Sequence, residues 1–370
     1  MLTELRLGNF KAFRELELEV ARLTLLSGWN SAGKSSILQA LACLRQSSDA
    51  GVRSSGLLLN GALVEMGTGR DVLHEDYSGE GGEPLISIGY TNGEGAADLV
   101  FGYEPDSDLL PWAAGAALAS GLNTLPGEKG FHLLKADRHG PAPYYLRSYH
   151  AVEVQHTVGT RGEHAANYLR LHQDDHVDPR RRSPNGEAGP TLLDQVSAWL
   201  QYMSPGVNVD AQGNDAADIV TLTYGYGGRA GLSSSNRYRA TNVGFGLSYV
   251  LPIVVVCLMA EEGSLLLVEN PEAHLHPRGQ AAVANLLAQA AASGVQVLVE
   301  SHSDHVLNGF RRCVKHGAIG AEDVAIHFFA RGVDASVDVA SPRVGPQGSL
   351  SEWPEGFFDE WDRAITDLLS

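Results

Sequence analysis

Residues 28–35 read Gly28-Trp29-Asn30-Ser31-Ala32-Gly33-Lys34-Ser35, a G-x-x-x-x-G-K-S spacing. Glycines at that separation let the backbone curl until successive N–H groups point at one place, where an anion can sit. A lysine and a hydroxyl directly after them suit a polyphosphate chain: Lys34 reaches the outer phosphates and Ser35 ligates Mg²⁺. A helix beginning near Lys34 adds its positive end. The rival, a glycine-rich turn with a solvated lysine, does not require the buried strand before the loop and the helix after it.

Three further segments carry chemistry. Leu265-Leu266-Leu267-Val268-Glu269-Asn270-Pro271-Glu272 is an apolar run ending in acid. Glu269 could hold Mg²⁺ through water, and Glu272 could polarise an attacking water; the plainer alternative is a solvated acidic turn. Asn242–Ser248 (NVGFGLS) precedes an apolar stretch, and Gly244, Gly246 and Ser248 at a helix start would admit a phosphate closely. An ordinary glycine-rich helix entry is the alternative. Val299–His305 (VESHSDH) ends an apolar run in His302, placed to contact a γ-phosphate, unless it only belongs to a turn capped by Ser303 or Asp304. The expected catalytic set is therefore Glu272, Glu269 and His302, with ATP and Mg²⁺ as ligands. A zinc centre from His274, His276, His302 and His305 is the competing idea. The chain has no H-E-x-x-H and its cysteines lie elsewhere, so zinc is not expected. Arg180–Arg182 and Arg237/Arg239 could meet phosphates of nucleotide or DNA, but solvated loops explain them as well.

The elements needed to position these residues are legible. Leu2, Leu5, Leu7 and then Leu16, Leu18, Val20 alternate with polar neighbours, which predicts two half-buried strands. Arg22–Ser27 predicts a buried strand and Ser36–Arg45 a helix. Strands are expected at Leu85–Tyr90, Ala97–Tyr103, Phe131–Leu134, Ile219–Tyr224, Ser264–Glu269 and Val295–Glu300. Helices are expected at Thr191–Met203, Ser248–Ala260, Gln280–Ala292 and Asp304–Lys315, and Asp174–Pro190 as a mobile loop. Strands alternating with helices indicate an α/β fold built on a mostly parallel sheet. The expected division is 1–103, an N-terminal lobe with the phosphate loop; 104–190, an inserted lid; 191–312, a lobe with the other motifs; and 313–370, a small C-terminal part.

Composition sets the outer bounds. The 370 residues are 44% hydrophobic and 19% charged, as in a globular protein, and the net charge of −17 excludes a surface that is basic throughout. DNA, if bound, would need a local patch. Cys43, Cys257 and Cys313 form no CxxC pair and suit buried thiols in a reducing cytosol. No signal peptide is read, and the apolar run Tyr249–Ala260 is too short to span a bilayer. A cytoplasmic protein without a membrane partner is the expectation.

Taken in order, the four motifs resemble the ABC-type ATPase heads of the RecF, SMC and OLD (overcoming lysogenization defect) group. LRLGNFKAFRELELE resembles that group's opening strands. The loop with Asn30, Ser31, Ala32, Gly33, Lys34, Ser35 and Ser36 is similar to its phosphate loop. VGFGLSYVLP, ENPEAHLHP and ESHSDH resemble its signature, acidic strand and switch histidine. Trp353–Asp359 (WPEGFFD) resembles the ending of stand-alone bacterial ATPases with a C-terminal domain of unknown function. The resemblance implies a P-loop NTPase with an ABC/RecF-like head, an N-terminal antiparallel lobe and an inserted lid. It implies a homodimer closed over ATP, Gly244, Gly246 and Ser248 of one copy touching the nucleotide of the other. It also implies work in anti-phage defence beside a nuclease or toxin effector, or in DNA repair. Three departures stand out. Asn270 replaces the acid that commonly follows the strand, so Glu272 must take over and turnover is expected to be slow. The signature lacks the L-S-G-G order. Only about 68 residues follow His302, with no acidic cluster, which argues against a nuclease domain in this chain. A low-turnover, ATP-gated scaffold is the rival.

Overall fold

The computed structural model describes residues 1–77, 83–113, 127, 129–186, 188–227, 236–332 and 336–369. The chain forms two compact units, each discontinuous in sequence. The first comprises Met1–Phe131, Glu322–Gly345 and Leu350–Ser370; the second comprises His132–Ala321 and Pro346–Ser349.

In the first unit the period-two pattern becomes a four-stranded antiparallel sheet in the order Phe13–Glu19, Leu2–Phe10, Leu85–Asn92, Gly95–Gly102. Leu5 lies between Leu18 and Tyr90, and Leu7 between Leu16 and Ile88, so one face is a continuous apolar layer. The register shifts between Leu2 and Glu4, and this irregularity turns both Leu2 and Leu5 inward despite their odd spacing.

The strand leading into the phosphate loop, Leu23–Gly28, pairs in parallel with Val324–Arg331, which pairs antiparallel with Val337–Ala340. The stretch after residue 312 is thus not wholly a separate part: its strands complete the first unit's sheet beside the loop. Phe357 is fully buried there, its ring 5.1 Å from Phe328 and 5.5 Å from Trp353. Gly28 has φ 134° and lies against Phe329, whose carbonyl would collide with any Cβ. The loop then runs into the helix Lys34–Asp49.

In the second unit, Leu265–Glu269 and Gln296–Glu300 are parallel neighbours in register from Leu265↔Gln296 to Glu269↔Glu300. Phe131–Leu134 lies next to Leu265–Glu269. The four helices expected from the sequence form as Leu192–Met203, Phe245–Met259, Pro277–Ala292 and Asp304–Lys315. An antiparallel sheet of Val207–Asn214, Ile219–Tyr226 and Arg237–Arg239 completes the unit, with Tyr145–Leu146 paired to Ile219–Tyr226.

Two expectations need correction. Asp174–Pro190 is not a loose loop, although Glu187 lies outside the described residues. Arg181 is buried and donates to Ser293 Oγ (2.6 Å), Cys257 O (3.2 Å) and Ala260 O, while Trp199 Nε1 donates to Arg181 O. The cation thus meets the carbonyls that end the helix Phe245–Met259, where partial negative charge collects. Arg180, in contrast, is exposed and paired with Asp178. The three cysteines are buried free thiols. Among the described residues no helix is long and apolar enough to cross a membrane.

Candidate nucleotide-handling site

The phosphate loop owes its shape to two left-handed residues. Ser31 (φ 61°) and Gly33 (φ 88°) turn the backbone twice in the same sense, the alternation that gathers N–H groups into an anion-binding concavity. Lys34 is buried and its Nζ donates to Gly28 O (3.0 Å) and Trp29 O (2.6 Å), so its charge is held across the loop. Ser35 stands half-buried in the first helical turn; Asn30 and Ser31 are exposed; Ala32 and Ser36 are buried. Arg331 Nη1 donates to Ser31 O (3.3 Å), and Gly356 lies against the indole of Trp29. A lysine, a hydroxyl and converging N–H groups at a helix start are the donors that Mg²⁺ and a triphosphate require.

In the second unit the acid- and histidine-ended strands finish side by side, and their loops are joined. Glu272 accepts from Ser301 Oγ (2.8 Å) with one carboxylate oxygen and from His302 N–H (2.8 Å) with the other. The structure therefore brings Glu272 and His302 together, as their positions after adjacent strands allow. Ser303 is the helix cap, accepting from His305 N–H and Val306 N–H and donating to Gln280 Oε1. His276 caps the helix Pro277–Ala292.

Glu269 is half-buried, and one of its oxygens accepts from Ala136 N–H (2.8 Å). Burial raises its carboxyl pKa above the usual range, opposed by that hydrogen bond and by Lys135. Asn270 follows in the left-handed region (φ 45°), its N–H bonded to Glu300 O (2.8 Å). A non-glycine residue there is strained, and besides that bond it is held by Arg138, to which no motif in the sequence points. Arg138 Nη1 donates to Glu269 O (2.6 Å) and Lys135 O (3.1 Å), Nη2 to Asn270 O (2.6 Å) and Nε to Tyr249 O (3.1 Å). Its guanidinium lies 4.6 Å from the Tyr249 ring centre. Burial pushes its pKa down to about 10, with Tyr249, Glu272, Glu269 and Asp137 acting the other way, so it stays charged at neutral pH. The only hint in the sequence is an arginine four residues after an apolar strand, and three of its four acceptors lie more than a hundred residues further on.

The helix start at Gly244 is packed onto the acidic turn. Gly246 faces His274 O with no room for a Cβ, and the His274 ring lies 4.6 Å from Phe245 and 4.9 Å from Tyr249. Ser248 requires correction as a ligand-binding residue. It is 4% exposed, turned inward towards the hydroxyls of Tyr145 and Tyr224, so Gly244 and the exposed Phe245 form the accessible tip instead.

Three family models match parts of the chain. A family model described as "AAA ATPase domain" matches residues 1–78. One described as "AAA domain, putative AbiEii toxin, Type IV TA system" matches 178–308, and "Protein of unknown function (DUF3696)" matches 319–368. No curated protein matches. Among solved structures, an SMC head bound to the C-terminal winged-helix domain of ScpA is 14% identical. The alignment covers 93% of this chain and 98% of that one at a TM-score of 0.52, a likeness of fold. The SMC head domain from Thermotoga maritima is 10% identical over 92% of this chain and 98% of its own, at 0.42. ATPase-domain models thus match over both the phosphate loop and the segment holding the acidic and histidine motifs, on a mixed α/β fold similar to that of an SMC head.

Proposed function

We propose that the chain hydrolyses Mg²⁺-ATP slowly, that ATP joins two copies of it, and that the cycle controls an effector protein. The observation that carries the enzymatic reading is the Glu272 carboxylate tied to the His302 segment three residues beyond Glu269. In this reading the loop Gly28–Ser36 cradles the phosphates, Lys34 neutralises the outer ones, and Ser35 and Glu269 hold the metal. Mg²⁺, when bound, offsets the charge that builds on the phosphate oxygens. Glu272 keeps two of its roughly four lone-pair sites after its two hydrogen bonds, enough to orient and polarise a water. His302 is held by its backbone where a γ-phosphate would be sensed. Gly244 and Phe245 are the part of the signature segment offered to a second copy's nucleotide.

Slow turnover is favoured by Asn270, an amide where a carboxylate is common in the group the chain resembles. A toxin–antitoxin description attaches to the matched 178–308 model, and this supports a defence role with a toxin or nuclease partner over DNA repair. The rival is an ATP-gated scaffold with little hydrolysis. Phosphate release by wild type and Lys34→Ala, with and without DNA, separates the two, and sedentation velocity with and without ATP tests the dimer. If wild type releases no more phosphate than Lys34→Ala, the enzymatic reading is wrong.

A further inference from the structure

The geometry points to Arg138 as a positioning residue that fixes the acidic turn and ties it to the helix carrying Gly244 and Phe245. The inference rests on the ATPase reading above for its kinetic consequence, though not for its structural one. Arg138 spends its donors on backbone carbonyls from three places: its own segment (Lys135), the helix (Tyr249), and the turn (Glu269 and Asn270). No carboxylate is among the acceptors of these bonds. A buried cation placed this way lowers the cost of keeping Glu269 ionised nearby without occupying the oxygens that a metal or water needs.

The circuit closes through the same segment. Ala136 N–H binds the Glu269 carboxylate, and Ala136 O accepts from Tyr249 Oη. Tyr249 also lies under the guanidinium and packs against Phe245 and His274. A contact made at the exposed tip of the helix therefore meets a continuous path to Glu269 and to the left-handed Asn270. Lysine cannot replace Arg138, because one ammonium cannot fork to Tyr249 O, Glu269 O and Asn270 O at once.

The test uses the full chain with Arg138→Lys and Arg138→Met, each also combined with Asn270→Gly, and Asn270→Gly alone. Folded fraction, affinity for a fluorescent ATP analogue, steady-state kcat and KM, and amide hydrogen exchange are measured. Expected are KM and analogue affinity within about threefold of wild type and kcat at least tenfold lower. Exchange at the Asn270, Ala273 and Leu275 amides should quicken by tenfold or more, with distant amides unchanged. Glycine at 270, free of the left-handed strain, should recover at least threefold in kcat. The assignment is overturned by wild-type exchange at those amides, or by analogue affinity and kcat falling together. Lack of recovery by Asn270→Gly, or failure of both single variants to fold, overturns it too. Were wild type inactive, the ATPase reading would fall while the exchange measurement still decided the role of Arg138.

Discussion

Replacing Glu272 separates its two tasks. In Glu272→Ala both hydrogen bonds vanish, leaving the His302 N–H and the buried Ser301 hydroxyl without that acceptor. Hydrogen bonds to an ionised acceptor contribute roughly 1.5–3 kcal/mol each when buried. Because Glu272 is half-buried and His302 is exposed, the pair should be discounted to about 2 kcal/mol in total. At roughly 2–4 °C per kcal/mol for a unit of this size, melting should fall by about 4–8 °C. In Glu272→Gln the amide oxygen still accepts from His302 N–H, and the amide nitrogen can donate to Ser301 Oγ, so the loss should stay below about 1 kcal/mol. The charge is gone, however, and general-base assistance is typically worth about 10²–10⁴ in rate. Melting curves and phosphate release at saturating Mg²⁺-ATP should therefore show a stable, inactive Glu272→Gln beside a destabilised, inactive Glu272→Ala. Wild-type turnover in Glu272→Gln would refute the catalytic role and leave the residue a clamp. Unchanged melting of Glu272→Ala would refute the clamp.

Other outcomes follow from the same geometry. Lys34→Ala should lose binding of the fluorescent ATP analogue by at least tenfold, since the only ammonium of the phosphate loop is removed; titration checks this. Glu269 has a raised pKa, so its contribution to stability is greatest below its ordinary value near 4.5 and is lost as pH rises through the raised one. Glu269→Gln should accordingly melt higher than wild type at neutral pH without nucleotide, the gain vanishing in acid, as a thermal-shift series across pH would show. Phe357→Ala removes a fully buried ring packed on Phe328 and Trp353, which should cost roughly 3–5 kcal/mol. Denaturant unfolding followed by tryptophan fluorescence measures the loss, and an unchanged midpoint would mean that the C-terminal segment is not anchored as described.

The sequence by itself determined the features whose physics is local. A phosphate loop is a curl of eight residues, and its glycines and lysine must be neighbours in the chain. Buried parallel strands announce themselves as apolar runs such as Leu265–Val268, and an acid or histidine that ends one is positioned by that fact. The four longer helices of the second unit were visible for the same reason, whereas the seven-residue Ala165–Leu171 was not. Ser248 was not readable, because every residue from Leu247 to Leu258 is buried and the helix has no polar face to set its phase.

What only the tertiary structure decided depends on partners far apart in sequence. Arg181 looks like one of three solvated arginines until the carbonyls of Cys257 and Ala260 and the hydroxyl of Ser293 surround it. Glu272 looks like a spare acid until Ser301 and His302 arrive from the neighbouring strand. Val324–Arg331 looks like the start of an appended domain until it pairs with Leu23–Gly28. Arg138 carries no motif at all, since backbone carbonyls are present at every residue and leave no mark in the sequence. Its role is set entirely by which of them the fold brings within reach.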